Sequence, residues 1–359
     1  MIICMRNHFF VYKLLETITT YKSVWYTSSR VALNVAIMTL LLLISKETLM
    51  RKITFLLLLI IISVGYTLPI SAQVDACSRT ERTAWDGQSR FNILVMGMDR
   101  RPGARDNLNA RTDAIMLVSF DPQSNQLGVL DIPRDMHFAV LNMREDLLRV
   151  NTLMVEGETL QEGCGPYFAM ETFQLNLGIY IDAYIAFDFE AFIDFIDAIG
   201  GVPVNVRGVI NDPTYPDMNY GVDPLLISPG LQQFDGDTAL AYARTRHGDN
   251  DYLRGERQLD VVLGIREQFG RRGVIQDFVE DLPDFIDDID GHFYSNLSVE
   301  QLSALGLSMM TLDSSRITTA SLNQDYSFDY IYSGLRVRVP DREFIAELMV
   351  DTFGEDYWR

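Results

Sequence analysis

Lysine is missing from most of this chain. The four lysines of the 359 residues all fall within the first 52, and from residue 53 onward every basic side chain is arginine, 23 in total. A phosphate site built there has only guanidinium forks to work with, which grip two oxygens at once where an ammonium offers a point charge. Histidine is nearly as scarce: four residues, scattered, with no spacing to cysteine that resembles a zinc site and no catalytic pair. Cysteine is limited to Cys4, Cys77 and Cys164, too few for a fold held together by disulfides. Positive charge is short overall. The formal net charge is −19, and because the first 72 residues hold seven basic and two acidic side chains, a net +5, the remainder carries −24. A body that acidic repels nucleic acid, whose binding rests on neutralising phosphates. A composition bias explains the acid-rich surface equally well, but not where the arginines lie. Internal repeats and low-complexity tracts are absent as well.

What is present at the start is apolar. Val31–Ser45 is an apolar stretch of 15 residues, short for a membrane span, and Ile53–Ala72 is a longer one introduced by Arg51-Lys52, close to the roughly 20 residues a spanning helix needs. The second stretch has the shape of a secretory signal, with a basic lead, an apolar middle and a small residue before Gln73. Met50 stands directly before Arg51-Lys52, which points to translation starting there. Two readings of residues 1–72 stand open, a cleaved signal and a retained anchor. Both put the body outside the cytoplasm, since the basic residues precede the apolar segment. In that oxidising compartment Cys77 and Cys164 could pair, and sequence alone does not supply the geometry a disulfide demands.

Residues 73–90 are polar and non-periodic and read as a linker. Phe91–Met98, Ala114–Phe120 and Leu127–Ile132 are apolar runs bounded by polar residues, the pattern of buried strands, with Pro122-Gln123-Ser124-Asn125 as a turn between the second and third. Helical spacing predicts a helix over Tyr167–Leu177. A strand Ala183–Phe187 follows, then an amphipathic helix Phe189–Ile199 ended by Gly200-Gly201 and a strand Val202–Val206. Asp235-Gly236-Asp237 opens a short helix through Tyr242, and Glu256–Gln268 is a longer one, whose extension back to Asp251 would be interrupted by Gly255. The tail predicts a helix Val299–Thr311, a strand Arg316–Leu322 and a helix from Asp341 to about Phe353. Strands alternating with helices predict a three-layer α/β/α sandwich around a central mixed β-sheet. Residues 91–359 then form one globular domain, with the chemistry in 91–268.

Two stretches concentrate arginine and aspartate. The first is Gly97-Met98-Asp99-Arg100-Arg101, Arg111-Thr112-Asp113 and Pro133-Arg134-Asp135; the second is Arg244-Thr245-Arg246 with Asp251, Arg254, Arg257 and Gln258. They hold eight of the 23 arginines that follow Lys52. Asp99 lies just past a strand, and Arg111 and Asp113, two apart at the entrance of another, share a face on strand periodicity. Two carboxylates brought together would hold a hard divalent cation, which takes oxygen ligands and completes its shell with water and substrate phosphates. Arg101, Arg111 and Arg134 would add forks for those phosphates. On a helix the spacing of Asp251, Arg254 and Arg257 aligns them on one face. Read singly, each Asp is a turn cap and each Arg a surface ion pair; as a set at strand ends in an acidic chain they favour a phosphate site.

These residues, in this order and spacing, together with Ala114-Ile115-Met116-Leu117, Ile132 and Ile199-Gly200-Gly201-Val202, resemble the LytR–CpsA–Psr family of bacterial cell envelopes. The resemblance runs from about Phe91 to at least Gln268. It implies a Mg²⁺-dependent (or Mn²⁺-dependent) phosphotransferase that moves a glycan from a polyprenyl-pyrophosphate carrier to peptidoglycan at the membrane surface. Carried over residue by residue, it implies metal binding by Asp99 and Asp113. It implies pyrophosphate contacts from Arg101, Arg111, Arg134, Arg244, Arg246 and Arg257 with Gln258 in support, and Arg254 in the same block. Asp99, Asp113, Arg111 and Arg134 are then the catalytic set. The family's apolar lipid tunnel would lie between sheet and helices, where Phe187, Phe192 and Ile196 serve equally well as ordinary core. Two departures stand out: Asp131 where a small or hydroxyl residue is usual, and Cys164 where glycine is. Hydrolysis of the same lipid, with water as acceptor, and non-enzymatic binding of the lipid or glycan are the competing functions. Transcriptional attenuation sits poorly with an exported acidic domain.

Overall fold

The computed structural model describes residues 85–100, 107–141, 146–217, 221–245, 251–310 and 312–358, all within one compact unit, Val74–Arg359. The apolar segments Val31–Ser45 and Ile53–Ala72 lie outside them, as do Cys4 and Cys77.

The first strand, β1 (Phe91–Met98), is buried along almost its whole length. Its alternate residues go to opposite faces, Leu94, Met96 and Met98 into one core and Phe91, Ile93 and Val95 into another. A strand with no polar face must be central and covered on both sides. It pairs antiparallel with β2 (Thr112–Asp121), which pairs antiparallel with β3 (Gln126–Asp131). The hairpin between them turns where Pro122-Gln123-Ser124-Asn125 predicts. Asp121 Oδ1 accepts from the Gln123 amide at 2.9 Å, and Asn125 takes the left-handed conformation that asparagine tolerates.

Beyond β3 come a short antiparallel pair, β4 (His137–Ala139) with β5 (Leu147–Arg149), and one 3-10 turn, Val150–Thr152. Helices α1 (Leu153–Leu160) and α2 (Gly165–Leu177) follow. Strand β6 (Ala183–Phe187) runs parallel to β1. Helix α3 (Phe189–Ala198) is capped by Asp188, which accepts from the amides of Glu190 and Ala191. The chain then leaves the main sheet through β7 (Val202–Val206), β8 (Ile210–Asp212), β9 (Leu225–Ile227) and β10 (Gly230–Phe234), paired β7 with β10 and β8 with β9. Gly201 is required between α3 and β7: its φ is +81°, and a Cβ there would meet the Phe234 carbonyl oxygen at 2.5 Å.

Asp235 caps α4 (Gly236–Arg244), as its position predicts. Helix α5 (Asp251–Phe269) runs unbroken through Gly255, starting five residues before the predicted Glu256. Helix α6 (Val274–Asp288) was not legible because Pro283 sits inside it, where proline normally breaks a helix. Strand β11 (Phe293–Ser295), helix α7 (Val299–Met310) and strand β12 (Ile317–Ser321) return to the sheet. The hairpin of β13 (Ser327–Tyr332) and β14 (Leu335–Pro340) and helix α8 (Arg342–Phe353) finish the fold.

The main sheet has the order β11-β6-β1-β2-β3-β12 and is mixed, with parallel pairs β1–β6 and β3–β12. On one face Leu153, Phe168, Phe173, Leu348 and Met349 bring α1, α2 and α8 onto it. On the other, Leu259, Leu305 and Met309 bring α5 and α7. This is the expected three-layer α/β/α sandwich. A third core lies among α3, α4, α5, α6 and the β7–β10 pair, with Ile196 fully buried in it and Phe192 packed against it; Phe187 stacks on Phe192 at 6.2 Å. The linker expected to reach Arg90 ends earlier, because Trp85 packs on Phe91 and Phe120 at 6.0 and 5.9 Å. No described helix is long and apolar enough to cross a membrane.

Candidate active site

The first motif block gathers at one end of β1, β2 and β3. Gly97 pairs with Ala114, but Met98 pairs with Thr112, so Asp113 is an extra residue bulged out of β2. Bulges re-aim a side chain and break the strict two-residue alternation. The shared face expected for Arg111 and Asp113 therefore does not follow from strand period here. Arg111 precedes β2 and is exposed, while Asp113 is half-buried. Asp99, also exposed, is tied to that edge through its amide, which donates to the Arg111 carbonyl at 2.7 Å.

Arg134 comes from the turn after β3. Its guanidinium donates to Asp113 Oδ2 as an ion pair, and the other carboxylate oxygen, Oδ1, accepts from Asn151 Nδ2 at 3.3 Å. Asn151 also donates its amide to the Arg134 carbonyl at 3.3 Å. Asp135 faces Arg149 at 3.3 Å and Arg134 Nε at 3.9 Å. Arg100 takes a different course. It is buried, with Nε and Nη2 on Asp188 at 2.8 and 2.7 Å and Nη1 on the Asn107 carbonyl and the Tyr294 hydroxyl. It ties the loop after β1 to the cap of α3.

The second block is built on α4 and α5. Arg244, the last residue of α4, lies over the Phe189 ring at 4.2 Å from its centroid and donates to Tyr215 Oη at 3.3 Å. Burial pushes the Tyr215 hydroxyl pKa up, and Arg244 works in the opposite direction. Thr245 is anchored by Asp212 Oδ2 at 2.8 Å. Arg254, Arg257 and Gln258 are all buried on α5. Arg257, expected to meet a pyrophosphate, donates Nε to the Tyr242 carbonyl at 3.0 Å and Nη2 to the Thr245 carbonyl, which fixes the end of α4 that carries Arg244. Arg101 and Arg246 lie outside the described residues, and of Asp251 only the backbone, at the start of α5, is described.

The two blocks meet at Asp131 and Gly255. Asp131, at the end of β3, is buried, and a Cβ on Gly255 would come within 2.2 Å of its Oδ2. The carboxylate thus lies directly against the first turns of α5, beside Arg254, and three residues before Arg134. Ser321 Oγ donates to the same oxygen at 2.8 Å. Asp131, one of the two departures from the family pattern, thus puts a carboxyl group near the motifs, buried between β3, β12 and α5. Cys164, the other departure, is buried at the start of α2 and disulfide-bonded, its partner outside the described residues. Sequence reasoning missed Asn151, Phe189, Tyr215 and Asp212. Of these only Asn151 carried a signal, a polar residue within the run Val150-Asn151-Thr152-Leu153-Met154.

The family model described as the LytR_cpsA_psr family matches residues 67–348. The chain is a member of that family. The polyisoprenyl-teichoic acid–peptidoglycan teichoic acid transferase TagT of Bacillus subtilis (strain 168) is 28% identical over 223 residues, covering 62% of this chain and 64% of its own length. The regulatory protein MsrR of Staphylococcus aureus (strain COL) is 27% identical over 223 residues, covering 61% of this chain and 60% of its own. This LytR_cpsA_psr chain therefore spans less than two thirds of either relative. Among solved structures, B. subtilis TagV superposes with a TM-score of 0.60 at 22% identity, covering 76% of this chain and 98% of that one. TagT bound to LIIa-WTA gives 0.56 at 22%, covering 76% and 95%. At that identity the likeness establishes the shared fold.

Proposed function

We propose that this chain transfers a glycan from a polyprenyl-pyrophosphate carrier to peptidoglycan. One observation carries the reading: the contact of Asp131 with Gly255 brings two arginine-rich blocks, more than a hundred residues apart, to one end of the sheet beside two aspartates. The names of TagT and its relatives, teichoic acid transferases working from a polyisoprenyl carrier, support the same chemistry. In the reaction a peptidoglycan hydroxyl attacks the phosphorus that bears the glycan. A new P–O bond forms, the bond from that phosphorus to the bridging oxygen breaks, polyprenyl phosphate leaves with that oxygen, and the hydroxyl proton passes to water. Negative charge builds on the bridging and equatorial oxygens, so fixed donors aimed at those oxygens are the main device such a site needs. We assign that role to Arg111, Arg134 and Arg244, and by motif position to Arg101 and Arg246. Arg257 and Gln258 support Arg244 and the first turns of α5, and Arg254 belongs to the same block.

The residues fit a hard divalent ion. Their donors are carboxylate oxygens, and Mg²⁺ is typically held by one or two of these with water and substrate phosphates completing the shell. Asp99 and Asp113 would hold it. Among the described residues no cluster of three or more acidic, histidine or cysteine side chains is placed to hold a metal ion. Bound there, Mg²⁺ or Mn²⁺ would neutralise charge on the pyrophosphate. The substrate places the protein at the outer face of the membrane, where residues 1–72 would hold it.

The test is the full chain in detergent with polyprenyl-pyrophosphate oligosaccharide, Mg²⁺ and peptidoglycan fragments, read by mass analysis. Phosphate-linked glycan on a peptidoglycan sugar is the expected product. Free glycan phosphate in its place means hydrolysis, and binding that persists unchanged in Arg134→Ala and after chelation, without product, means a lipid or glycan receptor.

A further inference from the structure

Asn151 is the polar side chain that the site leaves unexplained. It sits in the 3-10 turn between β5 and α1 and is 3% exposed. It touches both halves of the first motif block, bracing the backbone of Arg134 through its amide N–H and the carboxylate of Asp113 through Nδ2. Its Oδ1 is buried without a hydrogen-bond partner. Turning the amide over would not relieve that oxygen, because it would then face the Asp113 carboxylate, acceptor against acceptor. The orientation is fixed by the negative charge of Asp113, and one buried acceptor is left over. A buried acceptor without a partner in the chain is satisfied by a water or by an arriving donor.

We propose that Asn151 is a positioning residue for the divalent cation: it holds Asp113 in the orientation that receives the ion, and its Oδ1 accepts from a water that comes with the ion. This rests on the reading of Asp113 as a metal-binding residue. Arg134 already occupies Asp113 Oδ2, so the aim of the carboxylate depends on what holds Oδ1. Side chains that hydrogen-bond a ligating carboxylate orient it, and their loss typically weakens metal binding 10- to 100-fold. The bulge that turns Asp113 out of β2 makes such a brace necessary, because the ladder no longer fixes that residue.

The experiment measures Mn²⁺ affinity of the full chain in detergent by the loss of the free-ion electron paramagnetic resonance signal, with inorganic pyrophosphate present and its own Mn²⁺ binding subtracted by a protein-free titration. Wild type is compared with Asn151→Ala, Asn151→Gln, Asp113→Ala and Arg149→Ala. Thermal melts confirm that each variant is folded. Arg149→Ala changes the same segment two residues away and is expected to bind as wild type. Asn151→Ala is expected to raise the Mn²⁺ dissociation constant at least about tenfold, and Asn151→Gln, which keeps the amide, to recover part of it. Wild-type affinity in a folded Asn151→Ala protein while Asp113→Ala has lost Mn²⁺ overturns this proposal and leaves the site reading intact. Wild-type affinity in Asp113→Ala overturns both. If Asn151→Ala melts so early that folding is in doubt, Asn151→Gln decides: affinity above that of Asp113→Ala supports the amide brace, and affinity no better than Asp113→Ala overturns it.

Discussion

Arg244 is held in place by its own neighbours. Phe189 lies under its guanidinium and the Tyr215 hydroxyl receives one of its N–H groups, while Thr245 behind it is pinned by Asp212. A planar, delocalised cation suits that stack; an ammonium does not reproduce it. Arg244→Lys keeps the charge and is expected to lower kcat/KM more than tenfold, and Arg244→Ala by about 100-fold, the effect of removing one donor aimed at developing charge. Steady-state kinetics with melts unchanged within a few degrees checks both, and a Lys variant with wild-type kcat/KM would mean that charge alone is used there. Much of this was legible. The order of the motifs announced the family, and the arginine cluster in a lysine-free acidic body is what the proposed phosphate site starts from. Asp113 shows what was not legible. Its aim comes from a bulge, and a bulge is a register event between two strands that neither strand encodes alone. Arg100 shows the same limit from the other side. It stands in the motif between Asp99 and Arg101, yet turns inward to Asp188, and only the loop before β11, which supplies the Gly291 carbonyl, explains why.

At the scale of elements, the join between β3 and α5 decides whether the two blocks share a site. Gly255 is there for close approach: a methyl group would meet the Asp131 carboxylate at 2.2 Å. Gly255→Ala is expected to destabilise the protein by about 1–3 kcal/mol, the cost of overpacking a tight contact, even though alanine is the better helix former. Asp131→Ser shortens the side chain that collides. The double variant is therefore expected to recover part of the loss, giving a coupling that two independent sites would not show. Urea denaturation of the four proteins measures it, and strict additivity would put the strain elsewhere. The Arg100–Asp188 pair joins three further elements, the loop after β1, the start of α3 and the loop before β11. Both partners are buried, so Asp188→Ala leaves an uncompensated guanidinium and is expected to cost about 3–5 kcal/mol, again by urea denaturation. Elements with strong periodicity were readable to within a few residues. Those missed were short or broke a local rule: α6 carries Pro283, and the β13–β14 hairpin turns on Ser333-Gly334, a two-residue signal that is weak without its strands. Whether β11 and β12 join the central sheet is decided by tertiary contact, which no local pattern records.

For the whole molecule the deciding quantity is charge. From residue 73 onward the chain carries −24, and like charges spread over one compact body repel and favour its unfolding. Two terms compete as salt is added. Screening weakens the repulsion, which stabilises the fold, and it also weakens surface ion pairs such as Arg207 with Glu256 and Asp260 and Arg338 with Asp329, which destabilises it. Exposed pairs contribute about 0–1 kcal/mol each, whereas the repulsion acts among all the excess carboxylates at once. The screening length falls from about 30 Å at 0.01 M to about 8 Å at 0.15 M, from a reach that takes in many charges to one of near neighbours. Tm is therefore expected to rise with sodium chloride over that interval. Sulfate would not serve, because it strengthens apolar burial in any protein. The site should respond in the opposite sense, since arginine forks meeting a pyrophosphate are attractions that salt screens. Calorimetry and pyrophosphate binding measured across the same salt series separate the two. A Tm that falls with sodium chloride would mean that the surface arginines, all of them in place of lysine, pair with the acids well enough to outweigh the net charge.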